Sequence, residues 1–242
     1  MFVRLALVCC FAFFTGFLYA QDTVSASDPR KPAIDTTIAL YHQFTDKQSR
    51  LYNGPEHIPY APSLEGHAYF LDKLIHKGTV VYDGMIYNDV KMQYDLIRDN
   101  LVIVHFDGFF RMNLVTEKVK EFSFNDHHYV RLERDSANGL PFATGFYDKL
   151  YSGKMTVLAK RTKRIEETVT DKVIQKVTEK NFYYVYNGKE YNHVRSFKSL
   201  LSNVKDRSKE VKQYLRKSKI RYRKDRENAI VKAIEYYDSL KK

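Results

Sequence analysis

Thr79-Val80-Val81-Tyr82-Asp83-Gly84-Met85-Ile86-Tyr87-Asn88-Asp89-Val90-Lys91-Met92-Gln93-Tyr94 has the composition of a β-hairpin. A β-branched and aromatic run leads into Asp-Gly, and a second apolar run follows. Asp-Gly is favoured between paired strands because both central residues of a type I′ turn need positive φ. On the second run, Val90, Met92 and Tyr94 alternate with Lys91 and Gln93, so one face is apolar and the other polar. Period two, with a tight turn, predicts antiparallel β structure.

The same texture continues on the C-terminal side. Residues 86–95 end at Arg98-Asp99-Asn100, and 101–106 end at Asp107-Gly108. Further runs cover 109–115, 119–124 and 129–133, with Asn138-Gly139 closing the series. Phe122 and Phe124 alternate with Glu121, Ser123 and Asn125. A second set follows: 146–151 to Ser152-Gly153, a long strand over 155–170, a turn at Asp171-Lys172, 173–186 to Asn187-Gly188, and 190–194. Evenly spaced strands with local turns predict a curved antiparallel meander, a half-barrel or barrel. Residues 161–178 are polar on both faces and are expected to project past the core as a two-stranded ribbon.

At Ser196 the period becomes helical. Phe197, Leu200, Leu201 and Val204 form a stripe with Ser196 as N-cap, and Val211, Tyr214 and Leu215 repeat it after Asp206. Asp225 caps a last helix with Ile230, Ala233, Ile234, Tyr237 and Leu240 on its apolar face. The fold class read from the chain is therefore α+β, mainly β: a curved meander sheet with basic amphipathic helices at the C-terminus. The expected divisions are a leader over 1–20, a lead-in over 21–66, a β body over 67–195, and a basic helical tail over 196–242. The lead-in divides into a polar, disordered 21–32, a short helix within 35–44, and a Pro-rich loop opened by Tyr52-Asn53-Gly54-Pro55.

Residues 1–20 have the layout of a secretory signal peptide: Arg4, an apolar run from Leu5 to Leu18, and small Ala20 before polar Gln21. The run falls short of the roughly 20 residues a spanning helix needs. Cys9 and Cys10 lie inside it, too near Met1 for lipid attachment at a cleavage site. Cleavage after Ala20 removes both cysteines and six of the 35 Phe and Tyr residues. The expected product is exported, periplasmic or secreted, and has no thiol chemistry.

Charge is distributed unevenly. Residues 196–242 carry 15 Lys and Arg against 6 Asp and Glu, whereas residues 21–195 carry 24 against 23. Such asymmetry marks either a solvated helical face or a surface that meets an anionic polymer. Lys212, Arg216, Lys217, Lys219, Arg221, Arg223 and Arg226 form the candidate anion-contacting strip. Cations interleave with aromatics from Ser218 to Arg226, a pattern that also suits nucleic acid. Export argues against nucleic acid and for an anionic membrane surface, lipopolysaccharide or an acidic glycan.

Signals for catalysis are sparse. His105 and Asp107 share a strand face, but Asp107 is better explained as the first residue of its turn. His127 and His128 are adjacent and point to opposite faces of a strand. No His-Glu-x-x-His, Gly-x-Ser-x-Gly or Gly-rich phosphate loop occurs. No catalytic residue, metal ligand or cofactor is therefore assigned. The expectation is a non-catalytic binding protein; the alternatives are a hydrolase with dispersed carboxylates and a structural or assembly partner of an envelope complex. The Tyr-rich strand 182–186 suits cross-strand pairing or the lining of an apolar concavity.

Leu51-Tyr-Asn-Gly54, Gly66-His-Ala-Tyr-Phe70, Gly78-Thr-Val-Val-Tyr-Asp-Gly84, Tyr94-Asp95 and Gly145-Phe-Tyr-Asp-Lys-Leu-Tyr151 together resemble a family of secreted bacterial envelope proteins with no assigned activity. The ending Ala233-Ile-Glu-Tyr-Tyr-Asp-Ser-Leu240 resembles that family's C-terminus, with Asp238 in place of the usual Asn on what reads as the polar face. The resemblance implies export and an envelope setting, and transfers no site residue.

Overall fold

A computed structural model describes Thr37 and residues 50–134, 143–169 and 172–240. The expected leader over 1–20, the lead-in over 21–32, the Asn138-Gly139 turn and Asp171 of the next turn lie outside the described residues. Of the helix expected within 35–44, Thr37 alone is described, and it is helical. Asp46–Lys242 is one compact unit.

Ten strands form one antiparallel sheet: β1 (His76–Tyr82), β2 (Met85–Asp95), β3 (Asn100–Val104), β4 (Arg111–Asn113), β5 (Val119–Phe124), β6 (His127–Leu132), β7 (Gly145–Ser152), β8 (Thr156–Val169), β9 (Val173–Tyr186) and β10 (Tyr191–Val194). Asp83 and Gly84 both take positive φ, 50° and 80°, as the Asp-Gly reading requires. Asn125 and Asp126, at 47° and 61°, make the same kind of turn between β5 and β6.

The spatial order is β10-β9-β8-β7-β6-β5-β1-β2-β3-β4, so the meander is broken once. After β4 the chain returns to the far side of β1. Five residues, three of them wound into a 3-10 turn over Thr116–Lys118, make that link. In a flat sheet the four strand spacings alone would span about 19 Å. Six fully extended steps reach only about 20 Å, and the wound residues rise about 2 Å each. The sheet must therefore curl, and it stays open at the outer strands β4 and β10.

The curled side is filled. Phe122 and Tyr129 are cross-strand partners with ring centroids 4.8 Å apart. Tyr94 sits 4.9 Å from Tyr129 and 5.2 Å from Phe122, with Phe146, Val80, Met92 and Ile103 completing one core. The aromatics thus take the cross-strand role. Three helices cover a second core over β7–β10: α1 (Phe197–Ser202), α2 (Ser208–Lys217) and α3 (Arg226–Leu240). Ser196 caps α1 through a reciprocal pair of bonds with Ser199, and Asn228 donates its N–H to the Asp225 side chain at 3.3 Å. No described helix is long and apolar enough to cross a membrane.

Three expectations change. The chain from Arg50 to Gly66 joins the body rather than a separate lead-in: Leu51 and His57 are buried, and Glu56 and Glu65 bridge to Met112 and Lys176. Phe70 donates to the Tyr94 carbonyl, and Leu96 to that of Ala68, so residues 68–70 pair with the end of β2, while Gln93 on its polar face is buried and donates to the Lys73 and Leu74 carbonyls. The ribbon made by the outer parts of β8 and β9 forms as expected, with an exposed tip at Val169 and Val173, but its base is held. Glu65 N–H donates to the Gln175 carbonyl, Val177 N–H donates to that of Glu65, Lys163 donates to the Tyr69 carbonyl at 2.6 Å, and Arg161 is buried. Asp238 leaves the polar face of α3: it accepts from Met155 N–H at 3.0 Å and the Tyr151 hydroxyl at 3.1 Å, tying α3 to the β7–β8 turn.

Candidate functional site

A cleft of ≈ 1030 Å³ lies where the start of α1, the end of α2 and the link to α3 meet. Arg195 and Lys198 come from the start of α1, Lys212 and Arg216 from α2, and Lys219, Arg221, Arg223 and Lys224 from the link. Among the described residues, no acidic side chain lines it. Among the described residues, none of these eight cations forms an ion pair, although carboxylates hold Arg207 and Lys232 on neighbouring helical surface. Phe197, Leu215, Ile220 and Tyr222 form the apolar part of the wall, with the Phe197 and Tyr222 rings 5.5 Å apart.

The end of α2 explains this shape. Lys219 N–H bonds the Arg216 carbonyl, and Ile220 N–H bonds that of Leu215. That pair of bonds is a Schellman ending, with Leu215 and Ile220 at the positions whose side chains usually touch. Its left-handed residue is normally glycine, yet here it is Lys219, with φ 58°. The chain then reverses and brings Arg221 and Arg223 beside α2.

Of the seven strip residues, the cleft gathers Lys212, Arg216, Lys219, Arg221 and Arg223. Lys217, the last residue of α2, is exposed outside it. Arg226 turns inward: it bonds the Val194 carbonyl, donates to the Tyr222 hydroxyl at 3.0 Å, and lies over the Tyr183 ring. Its role is to hold the link against the sheet. Sequence reading missed Arg195, Lys198 and Lys224. The first two are distant in sequence from the strip, and only the docking of α1 beside α2 brings them in. The local electrostatics agree: burial, then the charges of Arg195 and Arg226, lower the His193 pKa.

Other candidate chemistry resolves into structural roles. Asp107 accepts the Phe109 N–H at 2.9 Å as a turn residue and lies 2.9 Å from His105. His127 pairs with Asp148, and His128 faces Glu121. Asp148 and Glu227 approach one another, but Arg161 occupies the space between them. Among the described residues no three His, Cys, Asp or Glu side chains converge as a metal centre requires.

A smaller cleft, ≈ 180 Å³, is lined by Tyr60, His67, Tyr69, Lys73 and Arg111 among prolines. Beneath it His57 lies 2.9 Å from the Tyr69 hydroxyl and 3.0 Å from Asn113 Oδ1. Burial is the largest cause lowering the pKa of His57, and likewise of His67, from the ordinary 6.5. In the unfolded chain these rings take protons that the fold refuses, so stability rises with pH here. Acidification is expected to lower the urea midpoint, starting near pH 6.5 and levelling off below the depressed folded values. His57→Gln should flatten that profile. An unaltered pH slope in this variant would remove His57 as its source.

No protein-family model, curated protein or solved structure matches this chain.

Proposed function

We propose that this chain is an exported, non-catalytic protein of the bacterial envelope that binds an anionic envelope component in the cleft between α1, α2 and the link to α3. One observation carries this reading: eight cations converge on one concavity that, among the described residues, no carboxylate lines. Like charges repel, and an anion bound between them would offset that repulsion. Export rests on the pattern of residues 1–20, and the envelope setting on that pattern and the family resemblance. The interior of the curled sheet is filled by its own side chains, whereas the cleft is open.

The test is co-sedimentation with vesicles of phosphatidylglycerol, with phosphatidylcholine vesicles as control. Retention on the anionic vesicles is expected, weakening as salt is added. A cation near an anionic surface contributes about 1 kcal/mol. Arg216→Glu, Lys219→Glu, Arg221→Glu and Arg223→Glu together should therefore cost at least about 4 kcal/mol, roughly a thousandfold. All four are exposed, so folding should survive the change. Equal retention of the fourfold variant would sink the reading.

A further inference from the structure

The cleft has two chemistries, and a simple anion uses only one of them. Its rim is cationic, but Phe197, Ile220 and Tyr222 are only half-buried, and with Leu215 they give the concavity an apolar floor. A phosphate ion or a sugar chain would leave that floor in contact with water, whereas an acyl chain would cover it. We infer that the occupant is a single anionic phospholipid, its headgroup held by the rim cations and one acyl chain lying along the floor. This inference rests on the anion-binding reading above and adds the apolar half of the ligand.

Two features of the cleft support an amphiphile. The apolar and cationic residues alternate along the link, Lys219-Ile220-Arg221-Tyr222-Arg223, so each cation stands directly beside a floor residue. Long cationic side chains in such positions can lay their methylene stems on an acyl chain while the charged ends reach the headgroup. Lys219 adds an independent sign. It holds a left-handed conformation that a lysine disfavours and a glycine would adopt freely. A strained residue that contributes a charge to a concave site points to a ligand there.

The experiment is calorimetric titration of the purified chain with lysophosphatidylglycerol below its micelle concentration. Lysophosphatidylcholine and inorganic phosphate serve as controls. The expected result is one lipid per chain, a negative heat-capacity change from apolar burial, and at least tenfold weaker binding of either control. Ile220→Asn should weaken the anionic lysolipid at least tenfold and shrink the negative heat-capacity change of binding, because less apolar surface is buried. Lys219→Gly should weaken binding several-fold and raise the thermal midpoint, a combination that general damage to the fold does not produce.

Equal binding of the two lysolipids, equal binding of phosphate and lysophosphatidylglycerol, or no response to Ile220→Asn would overturn the phospholipid inference. So would a Lys219→Gly variant that binds as the parent does. Each of those results is compatible with charge-dependent retention on anionic vesicles. The wider anion-binding reading falls separately, if vesicle retention ignores headgroup charge or survives the fourfold reversal.

Discussion

Arg161→Ala is expected to lower unfolding stability by about 3–5 kcal/mol, among the largest effects a single side chain can have here. Arg161 is 6 % exposed, on β8. It donates from Nε and Nη2 to Asp148 Oδ2 at 2.8 and 2.6 Å, and from Nη1 and Nη2 to the two Glu227 oxygens at 3.0 Å each. His127 also reaches Asp148, at 2.7 Å, and the Tyr183 hydroxyl donates to Glu227 at 3.1 Å. One guanidinium therefore joins β7 to the first turn of α3. Removing it leaves Asp148, 1 % exposed, without the cation that offsets its desolvation. Lysine is a poor substitute, because a single ammonium cannot satisfy two carboxylates in fork geometry. The urea midpoint should fall with the slope unchanged. A loss below about 1 kcal/mol would show that solvent reaches the network and screens it. Because Glu227 follows Arg226, which anchors the link, the variant should also bind the anionic lysolipid more weakly.

Sequence periodicity revealed the strands because their signals are local. Asp83-Gly84 and the alternation of Val90, Met92 and Tyr94 involve residues within a dozen positions of one another, and each appears in the fold as read. Ser196 and Asp225 were legible as caps for the same reason. The insertion of β5 beside β1 was not legible. Nothing in residues 119–124 distinguishes pairing with β4 from pairing with β1, since both leave Phe122 and Phe124 on an apolar face. Burial on β2's polar face was also hidden: Gln93 looks like a solvent position until the Lys73 and Leu74 carbonyls accept its hydrogen bonds.

The candidate site was legible in its charge and obscure in its shape. The excess of cations in residues 196–242 is a count, so the strip could be read directly. Which cations face a common space depends on the turn after α2, and that turn defies its usual sequence signal. A Schellman ending announces itself by glycine, and Lys219 conceals it. Arg226 shows the converse. It sits among the other cations in sequence, yet the first turn of α3 rotates it toward Val194 and Tyr183. A basic run on a helix-turn-helix segment thus divides between cleft-facing and fold-holding cations, and only tertiary packing sorts them.

Gly78→Ala is the other large expected loss, and it tests whether the curl of the sheet is fixed by backbone contact. A Cβ at Gly78 would lie 2.2 Å from the Ser123 carbonyl oxygen and 2.9 Å from Phe124 Cβ, with Met92 Sδ at 3.2 Å. The first contact is with main chain of a paired strand, which a rotamer change cannot relieve. Gly78 also stands where the β1–β2 register shifts, between Gly78 and Val80. A glycine inside a strand commonly marks such an irregularity or a close approach. In β1 it serves both purposes, since β2 and β5 press on it from either side. Moving β5 away from β1 would pull Phe122 off Tyr94 of β2, whose rings lie 5.2 Å apart across the interior, so the strain spreads into the core. The expected cost is about 3 kcal/mol or more, in the range of overpacked cores. The alanine variant should therefore melt well below the parent, while Gly84→Ala, whose Cβ would meet nothing within 4 Å, should lose only what its positive φ demands. Should the two variants lose equal stability, the close packing of β5 on β1 would not be what holds the curl, and the short link between β4 and β5 would have to hold it alone.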